Sequence, residues 1–339
     1  MLGPFGDYTL LRMLGQGGMA EVFLARCDRA GDAPKISVLK RVLPHLSRNR
    51  LLVELFLNEA RIAGRLDSPN IARVFDAGRV AGRDYLTMEF VPGADLARLR
   101  DRCNGAPARA LGCGAVARLL VDVCQGLQVA HDATTEDGEP LGLVHGDVHP
   151  RNVMVTFDGV AKLIDFGVAQ STAAAPDAAA RGSYAYTAPE QLRGRPFDRR
   201  ADVFAVGALA WELLTGRVLF RRSANYLTLR AVVEDDVPPV GDAVEDSAAV
   251  DALLARALAK QPGDRYASCA EFAAALSELA AERGWDTSAA RLTESLQTLF
   301  APERKLVDEA LATTGSSDVE DWLFRLRSDV DISWLLGGP

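Results

Sequence analysis

The sequence predicts an α+β chain of two lobes, a small one rich in β-strand and a larger one rich in helix, followed by a helical C-terminal extension. Three observations carry this expectation. The first ninety residues alternate like strands with one helical interruption, and the residues beyond Gly93 read mostly as helix between loops. The length of 339 residues, at roughly 150 per domain, gives about two units. The divisions expected are 1–91, 92–282 and 283–339, the last without an assigned role.

The elements follow in chain order. Residues 8–14 and 21–26 are runs rich in β-branched and aromatic side chains, joined by Gly15, Gln16, Gly17, Gly18, Met19 and Ala20. A dinucleotide-binding fingerprint would place a helix after such glycines, but Glu21-Val22-Phe23-Leu24-Ala25 alternates like a strand. The glycines therefore cap a hairpin whose backbone N–H groups could lie over phosphates. A third strand spans 35–42 and a later one 84–91. Between them, 49–66 reads as a helix with Leu52, Leu55, Ile62 and Leu66 on one stripe, stopped by Pro69. The segment 203–214 is apolar on all sides and ends at Gly216, the pattern of a buried helix with a glycine C-cap. Segments 134–142, 171–180 and 313–318 read as exposed loops or linkers. Helical patterns return at 292–300 and 319–330, and the second carries the stripe Val319, Leu323, Leu326 and Val330, which either completes the core or docks on a partner.

Composition narrows the function. With 48% hydrophobic and 25% charged residues the chain is of ordinary globular type, and 38 basic against 46 acidic side chains leave a net charge of −8. No global basic field exists to neutralise a nucleic-acid backbone, so nucleic acid is not an expected partner. The five cysteines, Cys27, Cys103, Cys113, Cys124 and Cys269, are scattered and form no CxxC pair, which fits neither a disulfide framework nor a zinc site. A reducing cytoplasm is the expected compartment. The longest apolar run, 203–211, is too short to span a bilayer.

The chemistry gathers on charged residues set among apolar ones. Period-2 counting puts Ile36, Val38, Lys40 and Val42 on one face of the third strand, and Glu59 falls on the apolar stripe of the following helix. Either stem alone could reach water, but two opposite charges on inward faces are better explained by each other. Further on, Val144-His145-Gly146-Asp147-Val148-His149-Pro150-Arg151-Asn152-Val153-Met154 is followed by Lys162-Leu163-Ile164-Asp165-Phe166-Gly167. Asp147 and Asn152 lie five apart in a proline-containing loop, with Asp165 at the end of an apolar strand. Two carboxylates and a carboxamide so placed could hold Mg²⁺ through hard oxygen ligands while one carboxylate stays free to receive a proton.

Over about residues 8–280 this pattern resembles the eukaryotic-like Ser/Thr protein kinases of bacteria. The resemblance implies the bilobal protein-kinase fold and transfer of the γ-phosphate of ATP to protein hydroxyls, with Mg²⁺, or Mn²⁺ in its place. It assigns Gly15, Gly17 and Val22 to the loop over the phosphates, Lys40 to the strand lysine on the α/β-phosphates and Glu59 to its helix partner. It assigns Asp147 to the catalytic-loop aspartate, and Asn152 and Asp165 to the metal. Met88 matches a gatekeeper, and the Glu89 carbonyl and Val91 amide match the hinge groups that hold adenine. Leu14, Val22, Val38 and Met154 would sandwich the ring, and Asp95 could reach the ribose. Ala188-Pro189-Glu190, Asp202 and Arg265 match the motif closing the activation segment, the aspartate opening the central helix, and the arginine that pairs with Glu190.

Four positions depart from the family pattern. Ala20 stands for a third glycine, Val38 for the usual alanine, and Gly146 for the arginine that grips a phosphorylated activation segment, in which Ser171, Thr172 and Ser183 are candidate acceptors. His149 stands where protein kinases carry a lysine on the γ-phosphate, and is expected to donate there. Two alternatives follow: a pseudokinase that binds ATP as a scaffold, or a small-molecule phosphotransferase of the same superfold, whose loop also carries histidine. The motif at Glu190 and its arginine favour a protein substrate, with the C-terminal tail as a docking candidate.

Overall fold

Alternation near the N-terminus builds an antiparallel sheet of six strands: β1 (Gly3–Phe5), β2 (Tyr8–Gln16), β3 (Ala20–Cys27), β4 (Ile36–Val42), β5 (Val74–Val80) and β6 (Arg83–Glu89), in the order β1-β2-β3-β4-β6-β5. This computed structural model describes residues 2–29, 35–105, 107–135, 137–165, 183–241, 244 and 247–313. Cross-strand partners share a face, so the registers Val22↔Lys40↔Leu86 and Leu24↔Val38↔Met88 set the lysine in a row of apolar side chains. Phe23 and Leu39, one residue out of phase, turn to the other side and pack with Phe5, Tyr8, Leu10, Ala25 and Tyr85. Strands β1 and β5 were not expected; β5 carries Asp76 and Gly78, which blur its pattern.

Helix α1 (Arg50–Ala63) is capped by the Asn49 side chain, which accepts the Leu52 N–H. Among its described side chains Phe56, Ala60 and Ala63 are the most buried, with Leu52 and Ile62 half-buried and Leu66, just beyond the helix, buried in the core. One phenylalanine beside two alanines lets the helix approach closely, and pattern counting overlooks alanine. The side chains of Leu55 and Glu59 lie outside the described residues.

The larger lobe opens with β7 (Gly93–Asp95), α2 (Leu96–Arg102), α3 (Pro107–Leu111) and α4 (Cys113–His131). Strand β7 joins β8 (Val153–Thr156) and β9 (Ala161–Leu163) in a second, three-stranded sheet. Glycine is required at 93, where a Cβ would stand 1.9 Å from the Val155 carbonyl oxygen. Next come α5 (Pro189–Leu192), α6 (Arg200–Thr215), α7 (Asn225–Glu234), α8 (Ala248–Ala257) and α9 (Cys269–Glu282). Helix α6 is buried from Ala201 to Leu214 and ends on Gly216 at φ +73°, as its all-round apolarity predicts. Helix α4 is long and apolar enough to cross a membrane by length and composition, although Arg118 and Asp122 interrupt it, so 203–211 remains the longer unbroken apolar run. Of the apolar window of α4, 67% is buried inside the lobe, the mark of a core helix. All five cysteines are free.

Beyond α9, α10 (Ala289–Leu299) and α11 (Ala301–Thr313) pack Leu292, Leu296, Phe300 and Val307 into the core of the larger lobe. The helix expected at 319–330 and the linker at 171–180 lie outside the described residues.

Candidate active site

The loop that carries Asp147 meets the segment that carries Asp165, the Ile164 N–H bonding the Asn152 carbonyl at 2.9 Å. Asp202 is fully buried at the start of α6, and its carboxylate accepts the N–H groups of His145 (2.9 Å) and Gly146 (2.8 Å). His131, at the end of α4, binds the same carboxylate through Nε2 at 2.7 Å. Burial penalises charge on His131, but the hydrogen bond and charge of Asp202 outweigh it and push the imidazole up to about 10. Burial likewise opposes the Asp202 anion, yet its bonds with His131 hold it below the usual carboxylate range. The loop before Asp147 thus hangs from a buried charge. Gly146 has φ +71°, a conformation costly to the arginine expected in the family pattern.

From Asp147 the loop closes on itself. The Asn152 side-chain amide donates to the Asp147 carbonyl at 2.9 Å, which leaves the Asn152 amide oxygen as a hard acceptor. Pro150–Asn152 forms a single 3₁₀ turn, capped by His149, whose Nδ1 accepts the Arg151 N–H at 3.2 Å. In the neutral ring the proton therefore sits on Nε2, 3.7 Å from Asp147 Oδ2. Burial holds the His149 imidazole below its ordinary value, opposed by Asp147 and reinforced by His145 and Arg151.

Lys40 Nζ and Asp165 Oδ1 are 2.9 Å apart, so the strand lysine and the carboxylate 125 residues later share one site. Asp165 adopts φ +54°, one of three non-glycine residues in that region among the described residues. Behind Met88 a cavity of about 10 Å³, room for one water, touches Ala60, Ala63, Leu86 and Asp165. The pairing of Lys40 with Glu59 lies outside the described residues, as do Phe166, Gly167, Ser171 and Thr172. Ser183 is buried at 4% exposure.

The apolar residues expected around adenine fall into two sets. Leu14, Val38 and Met88, with Val22 packed against them, belong to the main core, whereas Val91 and Met154 cluster separately with Ala72 and Ile164. Val91 N–H makes no hydrogen bond among the described residues. Gly15 pairs with Val22, and Gly17 N–H bonds Ala20 O at 2.9 Å to close the hairpin. Cβ atoms added at Gly17 or Gly18 would meet nothing nearer than 3.9 Å, so no contact within the chain demands these glycines. Asp95 caps α2, its Oδ1 accepting the Arg98 N–H at 2.9 Å, and burial pushes its carboxyl up.

Two arrangements were absent from the sequence reading. Lys162 on β9 bridges to Glu89 at 3.0 Å, and Glu89 also accepts the Arg73 N–H, tying the end of β6 to the strand that presents Asp165. Lys162 sits three residues before Asp165 on a strand, the one available signal. Buried Glu212 on α6 holds both Tyr186 and Arg100. The pair expected from the family pattern is present: Arg265 forks onto Glu190 at 2.7 and 2.8 Å, with the guanidinium fully buried over the Phe204 ring.

A metal would find few protein ligands here. Among the described residues no group of three or more His, Cys, Asp or Glu side chains could hold one. The carboxylate of Asp165 and the amide oxygen of Asn152 are hard oxygens of the kind Mg²⁺ takes from a protein, one or two at a time, completing its shell with phosphate and water.

Comparison with known proteins agrees with this geometry. The chain is 37% identical over 308 residues to the tyrosine-protein kinase MasK of Myxococcus xanthus, covering 90% of this chain and 48% of that protein. It is 33% identical over 317 residues to the serine/threonine-protein kinase PknF of Mycobacterium tuberculosis, covering 91% and 63%. The crystal structure of the Mycobacterium tuberculosis PknI kinase domain superposes with a TM-score of 0.62 at 32% identity, over 82% of this chain and 97% of that one. The chain spans about half the length of several curated relatives it matches. Residues 8–276 match the family described as protein kinase domain, and with the fold and the charged site in place the chain belongs to the protein kinase family.

Proposed function

We propose that this chain transfers the γ-phosphate of ATP·Mg²⁺ to serine or threonine hydroxyls of proteins, its own included. The ion pair of Lys40 with Asp165, which joins the strand of the small lobe to the segment after β9, is the observation that carries this reading. Lys40 would bind the α/β-phosphates, and Asp165 with the free Asn152 oxygen would hold Mg²⁺, which neutralises phosphate charge when bound. The open hairpin tip at Gly17 and Gly18 suits close approach of phosphates, and the Val91 N–H, unbonded among the described residues, suits the adenine edge. Val38 and Met154 are 1% and 0% exposed, so entry of the ring requires the lobes to part.

Asp147 would orient the acceptor hydroxyl and take its proton. His149 Nε2–H, its tautomer fixed by Arg151, would donate to the transferring group beside Asp147. Bonding of Glu190 with Arg265, and of Tyr186 with Glu212, orders the segment expected to receive a peptide, which favours protein over small-molecule acceptors. The free cysteines fit a reducing cytoplasm. Incubation with γ-labelled ATP and Mg²⁺, then phosphoamino-acid analysis, tests the reading: phosphoserine or phosphothreonine that is absent in Asp147→Asn supports it. Phosphotyrosine alone would reassign the acceptor, and binding without transfer would leave the scaffold alternative.

A further inference from the structure

Helix α11 lies beyond residue 276, where the family match ends, yet it buries an acid. Glu303 is 2% exposed, and its Oε1 accepts from Arg98 (3.4 Å) and from Arg102, both on α2. Its Oε2 makes no hydrogen bond among the described residues. Arg102 also lies over the Phe300 ring at 5.5 Å. The neighbouring helix grips the β8–β9 turn: Thr293 Oγ1 donates to the Asp158 carbonyl at 3.0 Å, and Phe300 packs on Phe157 with ring centroids 6.1 Å apart.

Both gripped parts lead directly to the cleft. Helix α2 has seven residues, too few to hold its own axis. Its N-cap is Asp95, whose carboxylate is bonded to the main chain of Arg98, the same residue whose side chain reaches Glu303. The turn at Phe157 and Asp158 joins the strand after Asn152 to the strand before Asp165. A buried carboxylate between guanidinium groups is a poor source of stability compared with apolar packing, but it fixes direction well. We propose that Glu303 is a positioning residue for nucleotide binding, holding α2 and its N-cap Asp95 in place at the edge of the cleft. This rests on the nucleotide reading above and adds a role for residues 289–313 within it.

The test measures binding of mant-ATP with Mg²⁺ to the full chain, together with KM for ATP, kcat and Tm, in the unmodified protein, Glu303→Gln, Arg102→Gln, their double variant and Lys40→Met. Glu303→Gln is expected to raise both the mant-ATP Kd and KM roughly three- to ten-fold with kcat little changed, and the double variant to bind no worse than the weaker single. Lower Tm with unchanged Kd and KM would mean that Glu303 only braces the fold, and overturns the proposal. If Lys40→Met weakens binding while Glu303→Gln does not, this proposal fails alone. If neither variant alters binding, the nucleotide reading fails with it. Should Glu303→Gln not fold, Arg102→Gln removes the more exposed partner of the same carboxylate, and an unchanged Kd there overturns the proposal as well.

Discussion

Lys40 and Asp165, 125 residues apart in the chain, approach to 2.9 Å, and the lysine is the more sheltered partner, at 16% side-chain exposure against 36%. The carboxylate occupies the ammonium, and on the proposed reading a nucleotide would compete for it. On the same reading, Lys40→Met would remove a phosphate ligand and free a carboxylate that would hold the metal. Phosphate transfer should fall by about 10²- to 10³-fold, the usual loss for one preorganised charge-stabilising group, with a rise in KM for ATP. Steady-state kinetics check this, and a variant that keeps full activity would remove the lysine from the mechanism.

His149 is neutral at neutral pH because burial outweighs Asp147, and Arg151 N–H fixes its proton on Nε2. One donor remains where a lysine would offer three. His149→Ala should lower kcat by about 10²-fold, the low end for a general acid or donor, whereas His149→Lys should retain or raise it. Equal loss in both variants would assign His149 to capping the 3₁₀ turn alone.

Much of this site was legible in the sequence because it follows short periods. Alternation along 36–42 put Lys40 among Val38 and Val42, and the register with β3 and β6 bears that out. The loop from His145 to Asn152 was legible because its residues bond mostly to each other and to one aspartate. What escaped depends on residues distant in sequence or on small side chains. The Phe56, Ala60, Ala63 face of α1 defeats leucine counting. Glu89 with Lys162, Glu212 with Arg100 and Glu303 with Arg102 join residues 73, 112 and 201 positions apart, each of which reads alone as a solvated charge.

Arg265 is fully buried and satisfied by Glu190 and by the carbonyls of Ala259 and Arg200. Arg265→Met leaves the Glu190 carboxylate buried without its counter-charge, which should cost roughly 3–5 kcal/mol by urea unfolding. The double variant Glu190→Leu with Arg265→Met should recover part of that loss. If the double variant is as unstable as the sum of the singles, the two residues do not act as a pair.

The pair of His131 with Asp202 gives the fold a pH signature whose sign is determined. His131 is raised from 6.5 to about 10, so its contribution is complete below pH 6.5 and drains away as pH climbs through 10. Asp202 is lowered from 3.8, so its contribution is complete above pH 3.8 and is lost as pH falls through its folded value. Cys269 beside them is raised well above the thiol range, by its hydrogen bond with Cys124 first and burial second, and stays neutral throughout. The stability difference between the unmodified protein and His131→Asn should therefore be largest from about pH 4 to 6.5 and shrink toward pH 10. Because Asp202 also carries the N–H groups of His145 and Gly146, the alkaline loss should loosen the loop before Asp147, read as faster amide exchange at those two residues. A difference that stays flat from pH 6 to 10 would mean that His131 is neutral in the folded chain and that Asp202 is held by the backbone alone.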